Sequence, residues 1–145
     1  MALEEATYST VYQNDIYEIR NYGDRLAIQA SYTNEKGVFQ KLFSYISGSN
    51  LDSAKINMTI PATQFNENGR KIMQFFLPSN FTKINAPTPI DKEINLTVVE
   101  QGYYAVIKYS GRQSDKNFDK HWLILKDNLL NNNIKILSSP IRATY

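Results

Sequence analysis

Ile16-Tyr17-Glu18-Ile19-Arg20-Asn21-Tyr22-Gly23-Asp24-Arg25-Leu26-Ala27-Ile28 returns 79 residues later, without a gap, as Asn95-Leu96-Thr97-Val98-Val99-Glu100-Gln101-Gly102-Tyr103-Tyr104-Ala105-Val106-Ile107. Few paired residues are identical, but the residue classes agree. Gly23 falls on Gly102, Ile19 on Val98 and Ile28 on Ile107. Beyond the stretch, Phe39 falls on Phe118, Phe43 on Trp122, Ile46 on Leu125 and Pro61 on Pro140. Core-type positions that keep register through strands and a helix predict two supersecondary units sharing one core; two copies are too few for a solenoid.

Outward from this stretch the unit takes shape. Ile16 to Tyr22 alternates as a strand, Gly23-Asp24 reads as a tight turn, and Arg25 to Tyr32 continues as a second strand, which predicts a hairpin. Asn34 fits a helix N-cap and Gly48 a C-terminal stop, with Phe39, Phe43 and Ile46 at helical spacing between them. Val38, Leu42 and Tyr45 form a second stripe beside the first. Ile56, Met58 and Ile60 alternate toward Pro61, and Lys71 to Leu77 is a β-rich run beyond the turn-like Asn66-Glu67-Asn68-Gly69. The second unit repeats the order: Ile94 to Val99, Tyr103 to Tyr109, a helix from about Asp115 to Leu130, then Ile134 to Leu137 and Ile141 to Tyr145. The expected organisation is one α+β domain over residues 1–145, a duplicated ββαββ unit with half one at about 8–78, a proline-marked linker at 79–92 and half two at about 93–145. A counterpart of Lys71 to Leu77 would fall at about 150 to 156, past residue 145, so the expectation is either a shortened chain or a sheet edge left open to a strand-adding partner.

Composition removes several classes of function. A chain of 145 residues buries about two-thirds of its unfolded surface without staples. The absence of cysteine excludes thiolate metal sites and thiol nucleophiles. The net charge is +2 and the basic residues are interleaved with acidic ones, so no stripe fits nucleic acid. No apolar run approaches the length of a membrane span, and Met1 to Ala6 lacks the parts of a signal peptide. The sequence as written therefore reads as soluble and cytoplasmic, with periplasmic or secreted placement if a leader has been removed.

The same elements resemble the SOUL haem-binding protein family through nearly the whole chain. Tyr17-Glu18-Ile19-Arg20-Asn21-Tyr22 is similar to the family's YEIR-x-Y strand, Tyr45-Ile46-x-Gly48-x-Asn50 to its helix exit, and Lys55-Ile56-x-Met58-Thr59-x-Pro61 to its K-I-x-M-T-x-P strand. Met73-Gln74-Phe75-Phe76-Leu77-Pro78 and Tyr109-Ser110-Gly111 stand where the family has F-x-L-P and F-S-G. The resemblance implies a distorted antiparallel β-barrel flanked by two helices in a pseudo-twofold duplication. It also implies binding of haem or a related tetrapyrrole at an apolar surface around the first helix. The histidine that some members carry inside YEIR-x-Y is Asn21 here, an amide and a poor iron ligand.

The repeat register separates core from site. Phe39, Phe43 and Ile46 have large apolar counterparts and are expected in the core. Val38, Leu42 and Tyr45 pair with Asn117, His121 and Ile124, so this stripe is the expected ligand surface, unless it packs under the Pro78 to Asp91 loop. His121, the sole histidine, is the candidate axial ligand for haem iron; Met58 and Met73 read as packing. Lys41, Lys55 and Arg142 are the cations available to propionates, Lys41 and Arg142 foremost. One histidine and no cysteine leave no readable triad, and His121 has only Ile124 and Leu125 at its forward helical neighbours, which leaves no metal cluster. The expected function is non-enzymatic tetrapyrrole binding. Two other readings stand beside it: an interaction module or homodimer built on an open edge or the helix strip, and an effector-binding domain with Glu18 or Glu100 as its acid, both expected to face solvent.

Overall fold

The computed structural model describes residues 3–145 and has an α+β fold. In chain order its elements are β1 (Glu4–Glu5), β2 (Tyr8–Gln13), β3 (Glu18–Tyr22), β4 (Arg25–Tyr32), α1 (Glu35–Ile46), β5 (Thr59–Ile60), β6 (Ala62–Glu67), β7 (Arg70–Phe76), β8 (Asn95–Val99), β9 (Gly102–Val106), α2 (Asp115–Asn131) and β10 (Arg142–Thr144). The strands form an antiparallel five-stranded sheet in the order β10-β6-β7-β4-β8, an antiparallel three-stranded sheet β2-β3-β9, and a short parallel pair β1-β5. Each order is linear, so these are open sheets.

The hairpin expected from Ile16 to Tyr32 does not form. β3 is paired with β2 and β9, whereas β4 is paired with β7 and β8. Tyr22 lies opposite Gly102, and Arg25 lies opposite Val99. Gly23-Asp24 is therefore where the chain leaves one sheet for another. The physical reason is that strand pairing is non-local, and the backbone agrees: a two-residue hairpin turn needs positive φ, and Gly23 is not among the glycines that adopt it. Asn68 (φ 52°) and Gly69 (φ 77°) do adopt it, and they turn β6 into β7 with Glu67 opposite Arg70.

Two compact units result, and each takes strands from both halves of the sequence. The first holds the described residues up to Ala6, Asp24–Glu100 and Ile141–Tyr145; the second holds Thr7–Gly23 and Gln101–Pro140. In the first, α1 starts at Asn34, whose side chain accepts from the Gly37 N–H at 2.9 Å. The helix packs on the five-stranded sheet through Val38, Leu42, Tyr45 and Ile46, against Leu26, Ile28 and Ala30 of β4 and Met73 and Phe75 of β7. Asn50 is buried after the helix, donating to the Tyr45 and Ala54 carbonyls and accepting from the Ala54 N–H. One amide thereby fastens the chain that follows α1.

In the second unit, α2 starts at Ser114, which accepts from the Asn117 N–H at 3.1 Å. Its buried contacts are few: Leu125 and Leu129 meet Tyr17, with Ile19, Ala105, Ile107 and Trp122 half-buried around them. The strand expected at Ile134 to Leu137 is irregular chain, in which Ile134 and Ile136 still pack against this core and Leu137 is exposed. Alternation there records a half-buried segment without a strand partner. β2 and β6 escaped the sequence reading because neither carries the buried alternation of a half-exposed strand.

Candidate functional site

The apolar sector of α1 spans about 160° of the helix circumference, wider than one core-facing stripe requires. Its two edges are the reverse of the first expectation, and the alternative, a stripe packed under the Pro78 to Asp91 loop, is the one observed. Leu42 and Tyr45 are 0% exposed and Val38 is 3% exposed, whereas Phe39 and Phe43 are 39% and 46% exposed. The stripe Val38, Leu42, Tyr45 is thus core, and no ligand can lie against it as the structure stands. Two features turn it inward. The Tyr45 hydroxyl donates to the Pro87 carbonyl at 2.6 Å, so its polar tip is satisfied inside. The segment after β7 also lies over this side: Ala86 is part of the core, Leu51 N–H donates to the Thr88 carbonyl, and Asn50 bridges to Pro89. Burial, and secondarily the negative charge of Asp52, push the Tyr45 phenol up to about 12.

The exposed flank of α1 is aromatic. The rings of Phe39 and Phe43 stack with centroids 6.2 Å apart and planes 11° apart, and Phe39 sets its edge against buried Phe75 at 5.2 Å. A nearly parallel ring pair, anchored on the sheet through Phe39 and partly open to solvent, is an exposed aromatic platform. Helical spacing puts exposed Lys36 on the same flank, one turn before Phe39. Arg142, half-buried in β10, lies opposite Gln64, which in turn lies opposite Met73 in the α1 core. Cross-strand partners point to one face, so Arg142 shares the α1 side of the sheet.

The other predicted residues separate from this platform. Lys41 is on the opposite flank, beside a shallow hollow of about 390 Å³ lined in part by Gly37, Gln40, Ser44 and Ile94, and its ammonium is 3.3 Å from Glu93 and 4.0 Å from Asp91. Lys55 is exposed, Met58 half-buried and Met73 buried. Glu18, expected to face solvent, is 14% exposed in its side chain and forms an ion pair with Arg20, itself 2% exposed. Arg20 also donates to the Tyr22 hydroxyl at 3.0 Å and lies over the Tyr8 ring. That carboxylate is satisfied within its own sheet, which removes it as an acid for an effector; Glu100 is exposed as expected.

His121 belongs to the second unit. Its Nδ1 is 2.7 Å from the Asn117 carbonyl, which can only accept, so Nδ1 carries the proton and Nε2 of the neutral ring keeps a lone pair. The ring is half-buried and stacks on Tyr109 with centroids 4.1 Å apart. A fixed tautomer of this kind is how metal-binding imidazoles are commonly oriented. Among the described residues no group of three or more His, Asp or Glu side chains is arranged to hold a metal ion.

The family model described as SOUL heme-binding protein matches residues 3–145. The chain belongs to the SOUL haem-binding family. No curated protein matches it. The family's YEIR-x-Y strand is structural in this SOUL chain: Tyr17 and Ile19 face α2, and Glu18, Arg20 and Tyr22 form the polar cluster on the other face. The family's K-I-x-M-T-x-P strand contributes Thr59, buried and donating to the Phe76 carbonyl. The motifs that identify the family thus build the fold. The residues missed as site candidates, Phe39, Phe43 and Lys36, carried one available signal: the apolar arc of α1 is too wide for a single buried face. No helix among the described residues is long and apolar enough to cross a membrane.

Proposed function

We propose that this SOUL chain is a non-enzymatic binder of haem or a related tetrapyrrole, held against the aromatic flank of α1. The observation that carries the reading is the exposed, nearly parallel Phe39 and Phe43 pair anchored on Phe75. A planar macrocycle suits such a platform, and Lys36 and Arg142 supply cations on that side for its carboxylates. Within the first unit the flank has no imidazole, and the Tyr45 phenol is already donated to Pro87. Affinity therefore comes mainly from the macrocycle rather than from iron. Iron coordination is a separate proposal that concerns the second unit by itself: His121 is the candidate nitrogen there, because Nε2 is the lone pair that the Asn117 bond leaves open.

Titration with hemin and with metal-free protoporphyrin IX tests the reading. Both should give a saturable Soret shift at about micromolar protein, and Phe39→Ala with Phe43→Ala should weaken both roughly tenfold or more. Lys41→Ala, on the opposite flank, should leave binding unchanged. Absence of a saturable shift with either pigment ends the proposal. His121→Ala tests the iron proposal separately: it should abolish any low-spin ferric spectrum, and a spectrum that survives means that the imidazole is not an iron ligand.

A further inference from the structure

Every residue of the edge strand β2 is exposed. Tyr8-Ser9-Thr10-Val11-Tyr12-Gln13 pairs with β3 along one side only. It has no charge and no proline, and its two aromatic and two β-branched residues favour strand pairing. Proteins commonly blunt an edge of this kind with lysine, proline or a covering element. β8 and β9 are also sheet edges, but most of their residues are half-buried, and β10 is three residues long and begins with Arg142. β2 is the edge at which a line of backbone groups and both side-chain faces meet water.

Its inner side is well fixed. The register breaks at Val11, between Thr10 opposite Arg20 and Tyr12 opposite Ile19. That extra residue turns Tyr12 toward Tyr17, at 5.9 Å between ring centroids, while Tyr8 stays over the Arg20 guanidinium at 4.0 Å and beside Tyr22 at 5.3 Å. Val11 itself is 54% exposed. The strand is thus held in an extended form before any partner arrives, which lowers the ordering cost of adding one.

We propose that β2 is the surface through which two copies of this chain pair, antiparallel and edge to edge about a twofold axis. Charge selects the occupant. Twofold pairing sets β2 against β2, and no like charges meet along it; the net charge of +2 adds little repulsion between copies. A partner chosen by complementary charge has nothing to read on this strand. Pairing would exchange backbone bonds to water for inter-strand bonds, the mode of β-augmentation. Two six-residue strands bury less than the roughly 1,200 Å² of a stable complex, so the dimer is weak, with a Kd between about 10 µM and 1 mM.

Sedimentation velocity of the full chain without tetrapyrrole, from about 5 µM to 1 mM, reads this directly. The average mass should rise toward that of a dimer, and amide exchange at residues 8–13 should slow as concentration rises. Val11→Lys brings like charges together across the axis and should abolish the rise. Leu130→Lys, at an exposed apolar position of α2, should leave it intact. Should Val11→Lys fail to fold, the exchange measurement on the unaltered chain decides. A chain that stays monomeric throughout overturns the proposal, and so does association that survives Val11→Lys but is lost in Leu130→Lys.

Discussion

The helices α1 and α2 stand 79 residues apart in the sequence echo, yet they use their apolar side chains differently. α1 buries Val38, Leu42, Tyr45 and Ile46 against a sheet whose facing side is apolar. α2 buries only Leu125 and Leu129, and leaves Leu123 and Leu130 exposed. The sheets differ as well. The β3 strand beneath α2 carries Arg20 and Glu18 on its far face, where the guanidinium is held by a carboxylate, a phenol and an aromatic ring. Equivalent sequence positions therefore keep the order of elements but not the burial of each flank, because burial depends on what covers the flank. In α1 the cover is the chain from Ala86 to Pro89.

The largest effect expected from breaking this contrast is at Arg20. Arg20→Ala leaves the largely buried Glu18 carboxylate without its cation, a change that costs about 3–5 kcal/mol. Trp122, the only tryptophan, is packed against the core of the same unit, so its fluorescence reports the loss in a urea titration. Replacing both partners with apolar residues, Glu18→Leu with Arg20→Met, should recover most of the stability, since no charge is then left unpaired. An Arg20→Ala chain within about 1 kcal/mol of the parent would show that the cluster is not what holds β3.

A second comparison uses positions that coincide in the echo, Leu42 and His121. Leu42→Ala removes a fully buried side chain from the first core and should cost about 3 kcal/mol. His121→Ala alters a half-buried ring on the flank of α2 and should cost under about 1 kcal/mol. Equal losses in chemical denaturation would mean that the two flanks are buried alike, contrary to the packing described.

These contrasts mark how far the sequence could be read. Asn34 as N-cap, the Asn68-Gly69 turn, the span of α2 and the α+β class were all legible, because capping, positive-φ turns and helical periodicity are local. The hairpin at Gly23-Asp24 was misread because strand pairing is non-local: Tyr22 and Arg25 find partners near residues 99 and 102, and nothing between them announces it. The packing of the first helix was half legible. Its apolar residues could be read, but telling its covered flank from its open one required knowing that the Tyr45 hydroxyl has an acceptor 42 residues away, while Phe39 can rest against Phe75, and Phe43 against Phe39, and still meet solvent.

That hydroxyl gives the smallest and most specific test, because it belongs to the α1 core and has no counterpart in α2, where the echo places Ile124. Tyr45→Phe leaves the Pro87 carbonyl without its donor and should cost about 1 kcal/mol near neutral pH. The alkaline limb then separates the chains. In the folded protein the phenol loses its proton only at about 12, chiefly because burial disfavours the phenolate, whereas in the unfolded chain it does so near its ordinary value of about 10. Below pH 10 both states hold the proton, and the contribution of Tyr45 is complete. Between pH 10 and 12 the unfolded chain releases it first, so stability falls by about 1.4 kcal/mol per pH unit. Tyr45→Phe lacks this contribution. Urea titrations should show the parent ahead at pH 8, level near pH 11 and behind by pH 12. A difference that stays constant over this range would mean that the phenol is not enclosed, and the assignment of Tyr45 to the covered flank of α1 would fall with it.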